Sequence, residues 1–283
     1  MIKLGDYNPL RIIRFTDHGA YLDGGAVGEI LLPKSYVRPE MRPEDEVTVF
    51  VYLDAGERLV ATFEKPLAKV GECAYLRCSW TNEHGAFLDW GLMKDLFVPF
   101  SEQRQRMEIG EYYVVYVYID RETSRIVATA KINRHLLPAS REIFKRGDKV
   151  DLLVWHKTPL GFKVIVNHRY VGQLYDDMLY KSVHTGDRLD GSVTSVREDG
   201  KLDVAAGAIG LQRFTDFADV LYNELLATPD GFLPFSDQSS PIAIADRFSV
   251  SKKTFKRAVG TLYAQRKIRL SDEGIFLVPQ RDA

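Results

Sequence analysis

The chain has 283 residues, which is more than one hydrophobic core usually organises, so its length predicts two or more compact domains. Hydrophobic residues make up 45% and charged residues 27%, and this ordinary globular composition excludes a disordered, collagenous or coiled-coil chain. The 38 Lys and Arg residues nearly balance the 39 Asp and Glu residues, so no overall basic excess indicates a nucleic-acid partner.

The N-terminal segment, MIKLGDYNPLRIIRF, carries charges and a proline, so it lacks the unbroken apolar stretch of a signal peptide. No segment approaches the roughly 18 apolar residues of a membrane span, and we expect a cytoplasmic protein with no membrane partner. Cys73 and Cys78 are too few for a disulfide framework, and their spacing is poor for a zinc site. We therefore expect reduced thiols, no metal and no cofactor.

An internal repeat begins near the N-terminus and is the most informative feature of the sequence. The hexamer HGAYLD at residues 18–23 recurs as HGAFLD at residues 84–89, and VYLD at residues 51–54 is echoed by VYID at residues 117–120. Both matches have the same offset, and a chance match would not bring its neighbours with it. We therefore predict two copies of one structural unit.

A third, weaker copy follows, in which GFKV at residues 161–164 stands where GAYL stands in the first copy. Each copy contains β-branched and aromatic runs bounded by Gly, Asp and Asn, which predict about five short strands. The clearest runs cover residues 47–53, 112–119, 152–155 and 162–166. Five strands in roughly 60 to 70 residues are the content of a small Greek-key barrel, whose closure removes the exposed edges of the sheet.

After Gly210 the apolar residues recur at helical spacing, and PDG at residues 229–231 marks the end of that segment. The apolar positions of this first predicted helix are Phe214, Phe217, Val220, Leu221 and Leu225. PIAIADRF at residues 241–248 predicts a second, short helix that begins at a proline.

A third helix is predicted over residues 252–265, with Ser249 or Ser251 as its N-cap. Residues 268–270 and 275–278 flank a turn and predict a hairpin. Three helices followed by a hairpin are the element order of a winged helix-turn-helix.

Tyr21 and Phe87 are the aromatic residues that the repeat retains, and His18 and His84 lie three positions before them. An aromatic ring that points out of a packed barrel can stack on a nucleic-acid base. A bulge at the intervening glycine would place each histidine and aromatic residue on one face. The alternative is that the aromatic residues belong to the core and that the histidines only end a turn. Their retention in two copies favours binding.

Acidic and basic residues bracket the turn between the last two predicted strands of each copy. The pairs are Asp54 with Arg58, Asp120 with Arg125, and Arg197 with Lys201. A carboxylate at this position can hold a basic side chain by an ion pair and leave guanidinium donors for a phosphate or a base edge. The alternative, an ordinary hairpin turn with a solvated basic neighbour, is compatible with this role.

The predicted third helix and the hairpin carry seven basic residues between Ser251 and Leu270, and no acidic one. These residues are Lys252, Lys253, Lys256, Arg257, Arg266, Lys267 and Arg269. The four at the start of the helix lie away from the apolar stripe that includes Phe255, as contact with phosphates or bases requires. The alternative is a solvated helix face, but the lack of acidic partners on the helix favours nucleic-acid contact.

These features together resemble a known family. The HGA-aromatic-LD pattern, followed by ILLP at residues 30–33 and by the acidic turn, resembles the RNA-binding domain of the ribosomal protein S1 type, an OB-fold. Three such units ahead of a winged helix resemble the conserved virulence factor B family of bacterial proteins. The most specific stretch runs from FSVSKKTFKRA at residues 248–258 to GIFL at residues 274–277. The family implies RNA binding without a catalytic step.

The resemblance also implies which residues contact RNA. The corresponding positions are His18, Tyr21, Asp54 and Arg58 in the first copy, His84, Phe87, Asp120 and Arg125 in the second, and Lys163 and Lys201 in the third. The strand-three histidine of the S1 type is replaced by Leu32 and Val98, and Leu160 and Lys163 occupy the aromatic positions of the third copy. We therefore expect weak binding by each unit and no marked sequence preference.

The predicted fold is a mainly β multidomain chain with three tandem five-stranded OB-fold barrels of the S1 type and a C-terminal α/β winged helix-turn-helix domain. The predicted boundaries are residues 1–66, 67–140 and 141–210 for the barrels and 211–283 for the winged helix.

The predicted function is a non-catalytic, post-transcriptional or translation-linked regulator whose barrels form a linear surface for single-stranded RNA. The winged helix would add a basic patch for RNA, duplex nucleic acid or a ribonucleoprotein partner. The common nucleotide-binding, zinc-protease and hydrolase motifs are absent from the sequence, so we predict no enzyme. The alternatives are a transcription regulator that binds DNA through the winged helix, and a protein-interaction scaffold.

Overall fold

The computed structural model describes residues 1–176, 179, 183–207, 210–248, 250–271 and 273–278, with the backbone alone for residues 210–216. The chain divides into two compact units, Met1–Leu136 and Leu137–Ala283. The first unit contains two barrels, and the second contains a third barrel followed by a small domain of helices and strands.

Barrel 1 is a closed five-stranded sheet. Its strands are β1 (Asp6–Thr16), β2 (Gly19–Asp23), β3 (Glu29–Pro33), β4 (Glu46–Leu53) and β5 (Leu59–Thr62). The strand order is β1-β2-β3-β5-β4, in which β3 and β5 are parallel and the other neighbours are antiparallel. Alternate side chains such as Ala20 and Leu22 fill the interior, so the residues between them point outward.

Barrels 2 and 3 repeat this topology. Barrel 2 consists of β6 (Cys73–Thr81), β7 (Gly85–Asp89), β8 (Leu96–Pro99), β9 (Tyr112–Ile119) and β10 (Ile126–Thr129). Barrel 3 consists of β11 (Lys149–Thr158), β12 (Gly161–Val166), β13 (Tyr170–Tyr175), β14 (Arg188–Val196) and β15 (Leu202–Ala206). Both are closed, so the prediction of three tandem five-stranded barrels is confirmed.

A β-bulge interrupts the first strand of each barrel at the same place. The register shifts between Ile12 and Arg14 in β1, between Cys78 and Trp80 in β6, and between Val154 and His156 in β11. The residue before each bulge is fully buried, whereas the residue after it reaches the outer surface, because the extra residue reverses the alternation of the strand.

The glycine of the repeat has a different role from the predicted one. We predicted the bulge at Gly19 and Gly85, and this position was wrong, since the bulge lies in the preceding strand. A methyl group on Gly19 would lie 2.1 Å from the carbonyl oxygen of Leu32, and one on Gly85 would lie 2.3 Å from that of Val98. Glycine is needed there because it lets two neighbouring strands approach closely.

Barrels 1 and 2 share an apolar core. Phe50, Tyr52 and Val60 point out of barrel 1 and are buried in one cluster with Trp90 of barrel 2. The rings of Phe50 and Trp90 meet edge to face, with their centroids 6.0 Å apart. Burial of these large apolar side chains fixes the two barrels against each other.

The C-terminal part forms the predicted winged helix. Its elements are α1 (Gly210–Ala227), β16 (Phe232–Leu233), α2 (Pro241–Phe248), α3 (Lys252–Ala264), β17 (Ile268–Leu270) and β18 (Ile275–Leu277). The three strands form a sheet in the order β16-β18-β17. The prediction of a winged helix-turn-helix is confirmed, although β16 was missed because two residues are too few for a recognisable alternation.

The helix ends and faces follow the sequence closely. The hydroxyl of Ser251 accepts a hydrogen bond of 3.2 Å from the backbone N–H of Thr254, which makes Ser251 the N-cap of α3. The other predicted cap, Ser249, lies outside the described residues. In α1, Val220 is 51% exposed, so its assignment to the apolar stripe was wrong. The side chain of Phe214 also falls outside the described part of the chain.

Cys73 and Cys78 are buried in barrel 2 as reduced cysteines. Burial raises the pKa of the Cys78 thiol, which keeps it protonated. Within the described ranges, no helix is both long and apolar enough to cross a membrane.

Candidate nucleic-acid interface

The repeated aromatic residues lie on the outside of their barrels. Tyr21 and Phe87 are half-buried, and each stands between two fully buried residues of its strand. The alternative that placed them in the core is therefore wrong. His18 and His84 are exposed and lie in the turns that precede β2 and β7. The alternative interpretation put the histidines at the end of a turn, and both histidines do lie there.

Three aromatic rings form a row on the outer face of barrel 2. The rings of Trp80 and Phe87 are stacked, with their centroids 3.7 Å apart and their planes 2° from parallel. Phe97 of β8 continues the row at a centroid distance of 4.9 Å from Phe87. The indole N–H of Trp80 donates a hydrogen bond of 3.0 Å to the Asp95 carboxylate, which fixes the ring while 44% of the residue stays exposed. We call Trp80, Phe87 and Phe97 the aromatic row.

Barrel 1 carries a cation at the first position of the equivalent row. Arg14, the residue after its bulge, lies with its guanidinium carbon 4.2 Å from the centroid of the Tyr21 ring. The guanidinium donates two hydrogen bonds, of 3.2 and 2.6 Å, to the Glu29 carboxylate. Hydrogen bonding to Glu29 raises the pKa of Arg14, so this side chain stays charged. Leu31 occupies the third position.

Barrel 3 lacks an aromatic row. The strand register places His156, Lys163 and Gln173 at the three equivalent positions. The ammonium of the predicted contact Lys163 lies 5.2 Å from the centroid of the Trp155 ring. Lys163 thus stands where Tyr21 and Phe87 stand in the other two barrels.

The predicted acidic and basic pair is formed in barrel 1. Asp54 accepts hydrogen bonds from the backbone N–H groups of Gly56 and Arg58 at 2.8 and 2.9 Å, and from the Arg58 guanidinium at 3.0 and 2.7 Å. Partial burial raises the pKa of the Asp54 carboxyl, but these hydrogen bonds lower it by more, so the net pKa lies below its ordinary value.

The equivalent ion pair is absent from barrel 2, so that prediction was wrong. Asp120 instead accepts hydrogen bonds from the backbone N–H and the hydroxyl of Thr123, at 3.1 and 2.6 Å. Arg125 forms an ion pair with the carboxylate of Glu57 in barrel 1. The turn that separates Asp120 from Arg125 is one residue longer than the turn in barrel 1, and its threonine satisfies the carboxylate locally.

In barrel 3 the pair is arranged around a third residue. Arg197 and Lys201 both bind the carboxylate of Asp199, at 3.4 and 2.6 Å. Both predicted basic residues therefore lie at the turn. They bind the carboxylate of Asp199, which was not among the predicted site residues.

A cleft with a volume of about 690 Å³ lies between barrels 1 and 2. One wall is the aromatic row, and the other is the β4–β5 turn of barrel 1. Four predicted site residues line it, namely Asp54, His84, Phe87 and Arg125. The lining also includes Trp80, Trp90, Met93, Lys94 and Phe97, which the sequence alone did not identify. Trp80 had one detectable signal, because it lies at the same repeat offset from Arg14 as Phe87 from Tyr21.

The remaining predicted residues of the first copy lie outside this cleft. His18, Tyr21 and Arg58 are absent from its lining, and so is Asp120 of the second copy. The structure therefore brings the predicted residues together in part, at the junction of the two barrels.

The predicted basic residues of the winged helix are mostly exposed. Lys253, Lys256 and Arg257 are exposed on α3, and Lys252 is half-buried at its start. Lys256 lies 3.6 Å from Asp237, an acidic partner that precedes α2 and lies outside the basic segment of residues 251–270. After α3, Arg266 is exposed, whereas the ammonium of Lys267 lies 4.8 Å from the centroid of the Tyr222 ring.

Two protein-family models match the chain. Residues 4–64 and 70–131 each match the S1 domain, and residues 219–277 match the CvfB-like winged helix domain. The two S1 matches fall on barrels 1 and 2. S1 and winged helix domains bind nucleic acids, so this domain composition implies nucleic-acid binding.

Similar proteins cover nearly the whole chain. The Bacillus subtilis protein YitL is 29% identical, over 94% of this chain and 91% of its own length. Conserved virulence factor B of Staphylococcus epidermidis is 27% identical, over 91% of this chain and 89% of its own length. A crystal structure of a multidomain protein with nucleic acid binding domains from Streptococcus pneumoniae aligns with a TM-score of 0.43 and 22% identity, over 97% of this chain and 98% of that one.

Proposed function

This chain combines S1 domains with a CvfB-like winged helix domain and is similar to conserved virulence factor B, and from that premise we propose that it binds single-stranded RNA without a catalytic step. In this proposal it is a cytoplasmic regulator of RNA use or translation. The proposed contacts are the predicted residues, namely His18, Tyr21, Asp54, Arg58, His84, Phe87, Asp120, Arg125, Lys163 and Lys201.

The aromatic row of barrel 2 is the observation that carries the proposal. Stacking on an aromatic side chain contributes about 1–3 kcal/mol per base and tolerates any sequence. Trp80 is the end of the row, and its exposed face offers a surface on which an unpaired base can continue the stack. A duplex keeps its bases stacked on each other, so this surface fits a single strand.

The proposal predicts that two aromatic residues on separate barrels account for much of the affinity. Tyr21→Ala combined with Phe87→Ala should weaken binding of single-stranded RNA by about tenfold or more, because each change removes a stacking surface. Filter-binding titrations across a salt series measure this loss. Tyr112→Ala is the matched control, since Tyr112 is an exposed aromatic residue of β9 that lies outside the aromatic row. Absence of RNA binding by the wild-type protein at low salt would contradict the proposal.

The exposed basic residues of α3 support a second candidate function, the binding of duplex DNA through the winged helix. Competition of duplex DNA against single-stranded RNA separates the two functions. We expect Lys256→Ala with Arg257→Ala to reduce binding of both nucleic acids modestly, by removing phosphate contacts. If these changes abolish duplex binding while the Tyr21 and Phe87 changes leave all binding intact, the second function replaces the first.

A further inference from the structure

Lys94 occupies an unusual place in the cleft between barrels 1 and 2. It follows β7 in the loop that leads to β8, and its side chain is half-buried among the lining residues. Its ammonium donates a hydrogen bond of 2.7 Å to the backbone carbonyl oxygen of Asp54. An ammonium has three N–H donors. Within the described part of the chain, this neutral carbonyl is the one acceptor at hydrogen-bond distance from the Lys94 ammonium.

The carboxylates around Lys94 already have other partners. Asp54 is held by Arg58, Glu57 by Arg125, and Asp95 by the indole N–H of Trp80. Burial lowers the pKa of Lys94, the positive charge of Arg125 lowers it further, and the carboxylates of Glu57 and Asp54 oppose both effects. The cleft therefore contains a partly desolvated cation whose ammonium is hydrogen-bonded to a neutral carbonyl, beside an exposed aromatic face.

We propose that this cleft binds one nucleotide unit, with the base stacked on Trp80 and the phosphate bound by Lys94. The volume of about 690 Å³ lies within the range of sites for small molecules, roughly 300–1,000 Å³. A phosphate supplies the anionic oxygens that the Lys94 ammonium lacks, and it restores the charged form that burial disfavours. The proposal rests on the proposed function, because it assigns a position to one nucleotide of the bound strand or to a free nucleotide of the same chemistry.

The test compares adenosine monophosphate with adenosine, since the two ligands differ only in the phosphate. The full-length wild-type protein should bind the monophosphate about tenfold more tightly, the effect of one or two charge-assisted hydrogen bonds. Lys94→Gln should bring the ratio of the two affinities close to one while leaving adenosine binding unchanged. Lys94→Arg, which keeps the charge, should restore part of the preference. Quenching of tryptophan fluorescence or calorimetry measures each affinity.

Lys131 provides a matched control. It is another lysine of barrel 2, it lies outside the lining of the cleft, and its ammonium also donates to a backbone carbonyl oxygen, that of Ser101. Lys131→Gln should leave the affinity ratio and the strand affinity at their wild-type values. This control distinguishes an effect that is specific to Lys94 in the cleft from the general effect of removing one positive charge.

A second arm uses a short single-stranded RNA and identifies the source of the nucleotide. Loss of phosphate preference in Lys94→Gln with unchanged strand affinity supports a free nucleotide, and a tenfold loss of strand affinity in Lys94→Gln but not in Lys131→Gln supports a nucleotide within a strand. The proposal is overturned if Lys94→Gln matches Lys131→Gln in both arms. Failure of the proposed function gives a different result, because the wild-type protein would then bind no strand at all.

Discussion

Asp54 holds the turn between β4 and β5 through both oxygens of its carboxylate. One oxygen accepts the backbone N–H groups of Gly56 and Arg58, and the other accepts the guanidinium of Arg58. The backbone carbonyl of the same residue accepts the hydrogen bond from Lys94. One residue thus shapes the turn and positions the cation of the cleft.

We predict that Asp54→Asn lowers the free energy of unfolding of the first unit by about 1 kcal/mol at pH 7, because it removes hydrogen bonds between charged groups. The folded-state pKa of Asp54 is lowered, so its contribution to stability is present above the unfolded-state pKa and is lost as the pH falls through the folded-state pKa. The stability difference between wild type and variant should therefore shrink in acid.

Calorimetric unfolding at pH 7 and at a pH below the lowered folded-state pKa of Asp54 measures that difference. Asp17→Asn, a change at an exposed residue in the turn before β2, is the control and should have little effect at either pH. A difference for Asp54→Asn that stays constant down to low pH would show that its carboxylate charge does not stabilise the turn.

At the scale of residues, the sequence identified local partners and missed distant ones. The pairing of Asp54 with Arg58 was predictable because the two residues flank one turn. The pairing of Arg125 with Glu57 was not, because it joins two copies of the repeat and depends on how the barrels pack. Lys94 was not predicted for the same reason, because its hydrogen-bond partner, the backbone carbonyl of Asp54, belongs to barrel 1 and is distant in sequence.

Among the strands, the bulge and the close-packed glycine act together on the outer face of each barrel. The bulge turns Arg14, Trp80 and His156 outward, opposite the second strand of each barrel. The glycine then lets the second strand lie close to the third. The alternation of apolar residues predicted the strands well. A bulge, however, changes the face on which the following residues lie without changing the composition of the strand, so the alternation alone did not show that Trp80 joins the row.

We predict opposite effects for one substitution at two glycines. Gly85→Ala should destabilise barrel 2 by about 1–3 kcal/mol, because the added methyl group would lie 2.3 Å from the carbonyl oxygen of Val98 and 2.7 Å from the ring of Phe97. Gly260→Ala should stabilise α3 by roughly 1 kcal/mol, since that position is open and helical. Thermal unfolding by calorimetry measures both changes in stability. A change of the same sign for both variants would contradict the explanation that Gly85 allows the close approach of β7 and β8.

The whole molecule is nearly neutral, and so is each of its parts. The net charge is −3 for residues 1–66, +2 for 67–146, −1 for 147–210 and +1 for 211–283. We therefore expect purely electrostatic binding of nucleic acid to be weak and stacking sites to contribute more. Several weak sites on one chain gain affinity through their effective concentration, which suits three barrels with unequal outer faces.

The domain composition was the part of the molecule that the sequence predicted best. Closure of a small barrel imposes the same pattern of strands and glycines on each copy, so the duplication stayed visible in the sequence. The cleft was not predictable, because Phe50 and Tyr52 look like ordinary strand residues until the second barrel is placed against them.

The apolar core that barrels 1 and 2 share makes each copy of the repeat depend on the other. Two independent modules can be lost, exchanged or multiplied one at a time. Here the loss of either copy exposes Phe50 or Trp90 to water and removes one wall of the cleft. We therefore expect the two copies to be retained or lost together.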